Sequence, residues 1–167
     1  MKHFMTREQE EFIAVHGLTE DQFFGIDKLK ELRLDGSTNI PDGFTPNVEV
    51  DLDLSSIKKV GNGFAPRVGR SLYLNSAESL GEGFTPHVRW SLMLDSLKRL
   101  PRGFAPYVGE GLYIQSIEKF GLGEDIDLSG VQSNIYMKGL IADRMGTLIE
   151  DIGFGKYLTL LNKKGLI

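Results

Sequence analysis

Between residues 32 and 120 the apolar positions of the chain return every 20 residues, as Leu-x-Leu, two further apolar positions and then Gly-Phe-x-Pro-x-Val. The columns align without a gap: Leu32, Leu52, Leu72, Leu92 and Leu112; Leu34, Leu54, Leu74, Leu94 and Ile114; Phe44, Phe64, Phe84 and Phe104; Pro46, Pro66, Pro86 and Pro106; Val48, Val68, Val88 and Val108. Self-similarity at this period marks a solenoid, in which a unit too small to bury its own apolar face stacks on a copy of itself. Alternation in Leu-x-Leu reads as a short strand with both leucines inward, and stacked copies make a parallel sheet. The Gly before each Phe supplies a turn that needs it, and the four phenylalanines form an aromatic ladder inside the stack. Proline fixes φ and removes a donor, so that side of each coil is expected to be irregular or polyproline-like, not a central strand.

The two ends break the period. Thr6-Arg7-Glu8-Gln9 is a capping box with Phe12, Ile13 and Val15 behind it and Gly17 as the stop, which predicts a helix near 7–16. Thr19 caps a second short helix over Glu20 to Phe24, ended by Gly25. Residues 1–30 therefore read as a helical cap over the open end of the stack. After Phe120, Glu124 falls in the Phe column and Leu128 in the Val column, and Ile135-Tyr136-Met137 reads as one more strand after an insertion of about three residues. Residues 139–151 have the spacing of a short helix, and 153–160 that of a last strand.

Composition narrows the class. A chain of 167 residues is one domain and buries about two-thirds of its unfolded surface, so it needs no metal or disulfide to fold. The absence of cysteine excludes a disulfide scaffold, a thiolate zinc site and a cysteine nucleophile, and fits a reducing compartment, so a cytoplasmic protein is expected. No segment has the apolar run of a membrane span or of a secretory leader. Net charge is −4: residues 1–50 carry 5 basic and 10 acidic groups, 51–120 carry 9 and 7, and 121–167 carry 5 and 6. That balance favours neither a nucleic-acid binder nor a mimic of DNA. Lys58, Glu78, Lys98 and Glu118 alternate in sign one repeat apart, a surface ladder contributing about 0–1 kcal/mol per pair.

With Leu-x-Leu, Leu100-Pro101-Arg102-Gly103-Phe104 and the return to Leu112-Tyr113-Ile114, residues 32–120 resemble short bacterial and phage-type leucine-rich repeats. Two features depart from that family: Ser56, Ser76, Ser96 and Ser116 stand for its asparagine at a shorter spacing, and the Gly-Phe-x-Pro-x-Val half is longer. The resemblance implies a curved parallel-sheet solenoid that recognises protein through its strand face, without catalysis. The expected fold is thus a leucine-rich-repeat-like solenoid of 20-residue coils in one structural domain. Residues 1–30 form its helical cap, 31–120 its repeats, and 121–167 degenerate repeats with an irregular C-terminal cap.

Catalytic and cofactor motifs do not assemble. His3, His16 and His87 match no metal spacing. Gly153-Phe154-Gly155-Lys156 lacks the first glycine and the Ser or Thr of a phosphate loop, and Gly121-Leu122-Gly123 lacks the third glycine of a dinucleotide fingerprint. Glu124, Asp125 and Asp127 lack the glycine and distal glutamate of a calcium loop. No cofactor is expected.

Two surfaces remain. The outward strand positions Arg33, Asp53, Tyr73, Met93 and Tyr113 grade from charged to apolar, and the last three make a stripe flanked by Asn75, Asp95 and Gln115. Its bland reading is cross-strand stacking, or a surface covered by the C-terminal segment. The second is a corner of Arg67, Arg70, His87, Arg89, Trp90 and Tyr107, where the single tryptophan sits among cations. Partner-binding candidates are Tyr73, Met93, Tyr113, Arg70, Arg89 and Trp90. The favoured function is a non-catalytic protein-binding module, in its sharpest form a phage or mobile-element inhibitor that occludes a host protein such as a defence nuclease. The alternatives are glycan stacking on Tyr73 and Tyr113, nucleic acid on Arg67, Arg70, Arg89 and Arg102, or self-association into a structural assembly.

Overall fold

The computed structural model describes residues 4–117, 126–132 and 134–136, and they form a β-solenoid. Each coil contributes two- or three-residue strands to as many as three parallel sheets. The first sheet is six-stranded and contains the Leu-x-Leu segments: Leu32–Arg33, Leu52–Asp53, Leu72–Tyr73, Ser91–Met93, Gly111–Tyr113 and Asn134–Tyr136. A three-stranded sheet follows round the corner, from Asn39–Ile40, Lys59–Val60 and Ser79–Leu80. The five-stranded third sheet is Lys28–Leu29, Asn47–Val48, Arg67–Val68, His87–Val88 and Tyr107–Val108.

Register follows the sequence columns. Leu32 pairs with Leu52, Leu52 with Leu72, Leu72 with Leu92 and Leu92 with Leu112. The first corner is a tight turn in which the N–H of Ile57, Ala77, Leu97 and Ile117 donates to the carbonyl three residues earlier. The second is the Gly-Phe turn, where Gly43, Gly63, Gly83 and Gly103 have φ of 74°, 67°, 71° and 68°. That left-handed conformation costs a side-chain-bearing residue roughly 1–2 kcal/mol. The N–H of Gly43, Gly63 and Gly83 donates to the next coil through the carbonyls of Asn62, Glu82 and Arg102.

The proline side differs from the sequence expectation. Phe-x-Pro itself stays outside any strand, but the two residues after each proline pair in parallel with the coils above and below. The residue before the proline and the residue after it supply the donors. Thr85 and Ala105 donate to the carbonyls of Phe64 and Phe84, and Arg67, His87 and Tyr107 to those of Pro46, Pro66 and Pro86. The missing proline N–H thus interrupts the ladder for one residue without ending it.

Inside, the Phe ladder is continuous. Phe44, Phe64, Phe84 and Phe104 are buried, with ring centroids 6.2, 5.4 and 5.4 Å apart and interplanar angles falling from 40° to 19° to 3°. Leu52, Leu54, Ile57, Val60 and Val68 and their counterparts in neighbouring coils fill the rest of the core. Helices α1 (Arg7–His16) and α2 (Glu20–Phe23) close the first coil, each with a complete capping box, on Thr6 with Gln9 and on Thr19 with Gln22. Gly17 ends α1 in the left-handed conformation. Phe12 and Phe23 are buried 5.2 and 5.1 Å from Phe44, so the cap continues the ladder with two rings of its own.

At the other end the columns shift. The N–H of Asp127 donates to the Phe104 carbonyl, as Ala105 does to Phe84 one coil earlier, which puts Ile126 and not Glu124 at the ladder position. Val131, not Leu128, bridges Val108. Ile126, Leu128 and Val131 are all buried, so the extra residues are accommodated by bringing new apolar side chains into the old sites. Asn134–Tyr136 then pairs with Gly111–Tyr113, as the three-residue insertion requires. The expected helix at 139–151 and strand at 153–160 lie outside the described residues, as does Glu118 of the charge ladder. Lys58 and Glu78 of that ladder form an exposed pair at 3.6 Å.

Candidate functional site

Strand alternation turns one side chain per coil outward from the six-stranded sheet. In register these are Arg33, Asp53, Tyr73, Met93, Tyr113 and Tyr136. The first two neutralise each other: the Arg33 guanidinium lies 3.7 Å from Asp53 and 2.9 Å from Asp35. The next four form an unbroken stripe of large side chains. Tyr73, Met93 and Tyr113 are half-buried and Tyr136 is exposed, with the rings of Tyr113 and Tyr136 stacked at 4.4 Å and 9°.

The stacked rings lean their edges over the column beside them. It contains Ser71, Ser91 and Gly111, and a Cβ on Gly111 would come 2.8 Å from the Tyr113 ring and 3.2 Å from that of Tyr136. On the other side stand Asn75 and Asp95, joined by a 3.0 Å hydrogen bond from Asn75 Nδ2 to Asp95 Oδ2, and then Gln115. The Tyr113 phenol is held above the ordinary tyrosine value, first by desolvation, then by its interactions with Tyr136 and by the charges of Glu110 and Asp95. It keeps its proton at neutral pH and remains a donor.

Tyr136 is the member that sequence reasoning missed. Its strand was foreseen, but it lies 23 residues after Tyr113 and so off the 20-residue column. The tapering series Asp51, Ser71, Ser91 and Gly111 was a further signal, since small residues beside a growing aromatic column leave room for ring edges to lean over them.

The corner group divides. Arg70 lies over the ring of Trp90 at 4.9 Å, and Trp90 remains 45% exposed. Arg67, His87 and Tyr107 are outward positions of the five-stranded sheet, with His87 and Tyr107 stacked at 4.3 Å and 4°. Arg89 lines an open groove of about 760 Å³ along that sheet, together with Lys28, Arg67 and His87. The sequence-derived candidates therefore fall on two faces: Tyr73, Met93 and Tyr113 on the six-stranded sheet, and Arg70, Arg89 and Trp90 on or beside the five-stranded one.

Among the described residues no group of three or more His, Asp and Glu side chains is placed to hold a metal ion, and no helix is long and apolar enough to cross a membrane. Comparison with family models, with curated proteins and with solved structures finds no match.

Proposed function

We propose that this chain is a non-catalytic protein-binding module whose recognition surface is the outer face of the six-stranded sheet. The observation that carries the reading is the stripe of Tyr73, Met93, Tyr113 and Tyr136, four large side chains in consecutive register on a face whose opposite side already fills the core. Three coil spacings make it roughly 14 Å long. Tyrosine and methionine are enriched at interface cores because they present wide, adaptable apolar area, and tyrosine adds a polar tip. Asn75, Asp95 and Gln115 give the stripe a polar rim.

Stacking geometry favours protein over glycan. Tyr113 and Tyr136 occupy each other's ring faces, so the surface a sugar ring would use is partly taken, whereas a protein partner can pack on their edges and phenol groups. The finer proposal, a phage or mobile-element inhibitor that occludes a host enzyme such as a defence nuclease, rests on the repeat resemblance alone.

The test is affinity capture from a bacterial lysate with immobilised wild-type protein and with the Tyr73→Ser, Met93→Ser, Tyr113→Ser variant, after circular dichroism shows that the variant is folded. A protein retained by the wild type and depleted at least about 10-fold on the variant, equivalent to roughly 1.4 kcal/mol, is the expected result. Equal retention by both overturns the assignment of this face.

A further inference from the structure

The five-stranded sheet carries a second surface, of different chemistry and independent of the tyrosine stripe. Its outward column reads Lys28, Asn47, Arg67, His87 and Tyr107, and the column two residues on reads Lys30, Glu49, Gly69, Arg89 and Gly109. Gly69 and Gly109 are obligatory. A Cβ on either would lie 2.0 Å from the carbonyl oxygen of Glu49 or Arg89 in the coil below. Because Gly69 has no side chain, the surface has a gap between Glu49 and Arg89, and Ala65 keeps the opposite side shallow. The outcome is the groove of about 760 Å³, with Lys28, Arg67, His87 and Arg89 on its walls and Glu49 as its one acidic lining residue.

Lys28, Arg67 and Arg89 are the permanent cations of this groove. Arg7, Arg33 and Lys58 all form ion pairs with carboxylates, but among the described residues no carboxylate lies within ion-pair distance of Lys28, Arg67 or Arg89. All three are exposed. Three unpaired cations along one groove of a chain with net charge −4 are placed to receive negative charge from outside.

We propose that this groove binds an extended acidic peptide segment of a protein partner. From the Lys28 rung to the His87 rung there are three coil spacings, roughly 14 Å, which about four residues of extended chain would span at about 3.3 Å each. Arginine forks at Arg67 and Arg89 suit the bidentate geometry of Asp and Glu carboxylates, and Lys28 supplies a point charge at the capped end. Single-stranded nucleic acid fits less well, because bases need free aromatic faces. Here His87 and Tyr107 cover each other, and Arg70 covers one face of Trp90.

The experiment is a fluorescence-anisotropy titration with a fluorescein-labelled decamer of alternating Glu and Gly, at about 50 mM and about 500 mM salt. A Lys-Gly decamer and a thymidine decanucleotide serve as comparators. Saturable binding of the Glu-Gly peptide to wild type is expected, weakened at least about 10-fold by high salt and by the Arg67→Glu, Arg89→Glu double variant. The Tyr73→Ser, Met93→Ser, Tyr113→Ser variant should bind it as wild type does. If charge reversal prevents folding, Arg67→Gln with Arg89→Gln is the replacement, with a loss in the same direction. Absence of saturable binding at low salt, or unchanged affinity in the folded arginine variant, overturns the proposal. Tighter binding of the decanucleotide reassigns the groove to nucleic acid and overturns the peptide reading.

Discussion

At the scale of single residues, two kinds of glycine do different work. Gly63 is needed for its φ of +67°, and nothing lies within 4 Å of where its Cβ would stand. Gly69 has no unusual φ, but a Cβ there would meet the Glu49 backbone carbonyl at 2.0 Å. Gly63→Ala should therefore cost roughly 1–2 kcal/mol, the price of a left-handed alanine, and Gly63→Asn less. Gly69→Ala should cost more, over about 3 kcal/mol, because two coils must separate to admit the methyl group. Urea unfolding of the three variants checks the order; equal losses at the two positions would refute the close approach. The repeated Gly-Phe turn was legible in the sequence because it recurs in every copy. Gly69 and Gly109 were not, because their column alternates with Glu49 and Arg89 and the reason for it is a carbonyl one coil away.

At the scale of elements, the cap was the most legible part of the chain and the return side the least. Thr6 with Gln9, and Thr19 as a cap, announce two helices through local chemistry; both helices form, and the structure adds a second box of Thr19 with Gln22. A two-residue strand such as Arg67–Val68 gives no alternation to detect, and a proline immediately before it argues against a strand, so the five-stranded sheet emerges only when coils stack. The insertion before Asn134–Tyr136 was visible in outline, but which side chains re-enter the core was not, since Glu124 and Leu128 hold the right sequence spacing and Ile126 and Val131 the right spatial one.

Helix α1 also carries a pH-sensitive contact. His16 packs on Phe12 with centroids 4.7 Å apart and hydrogen-bonds Ser37 through Nε2 at 2.7 Å, and burial lowers its pKa from the ordinary 6.5. The folded cap prefers the neutral ring, while the unfolded chain takes up its proton first as pH falls below 6.5. The neutral contact thus contributes fully above that value and its contribution is lost as pH falls toward the lower folded value. Thermal melts of wild type and His16→Gln at about pH 7.5 and about pH 5 should show wild type losing more stability than the variant on acidification. A stability difference between the two that does not change with pH would contradict this.

At the scale of the whole molecule, the solenoid separates the columns that hold the fold from those that do not. Inward columns repeat with little variation, Leu, Leu, Phe and Val, because every coil must present the same shape to its neighbours. Outward columns vary from coil to coil: Arg33 to Tyr136 on one sheet and Lys28 to Tyr107 on another, which leaves each face free to acquire its own chemistry. This division made the interior legible and the outward faces not: periodicity reports what coils share, and the binding proposed for those faces rests on what they do not.

The most direct test of that division is a paired urea-unfolding measurement on Phe84→Ala, from the inner ladder, and Tyr73→Ser, from the outer stripe of the same repeat. Phe84→Ala should lose about 3–5 kcal/mol, as a fully buried ring flanked by Phe64 and Phe104 at 5.4 Å, and Tyr73→Ser less than about 1.5 kcal/mol. A loss at Phe84 below about 1 kcal/mol, or equal losses at the two sites, would contradict an interior that holds the fold and an exterior left available for binding.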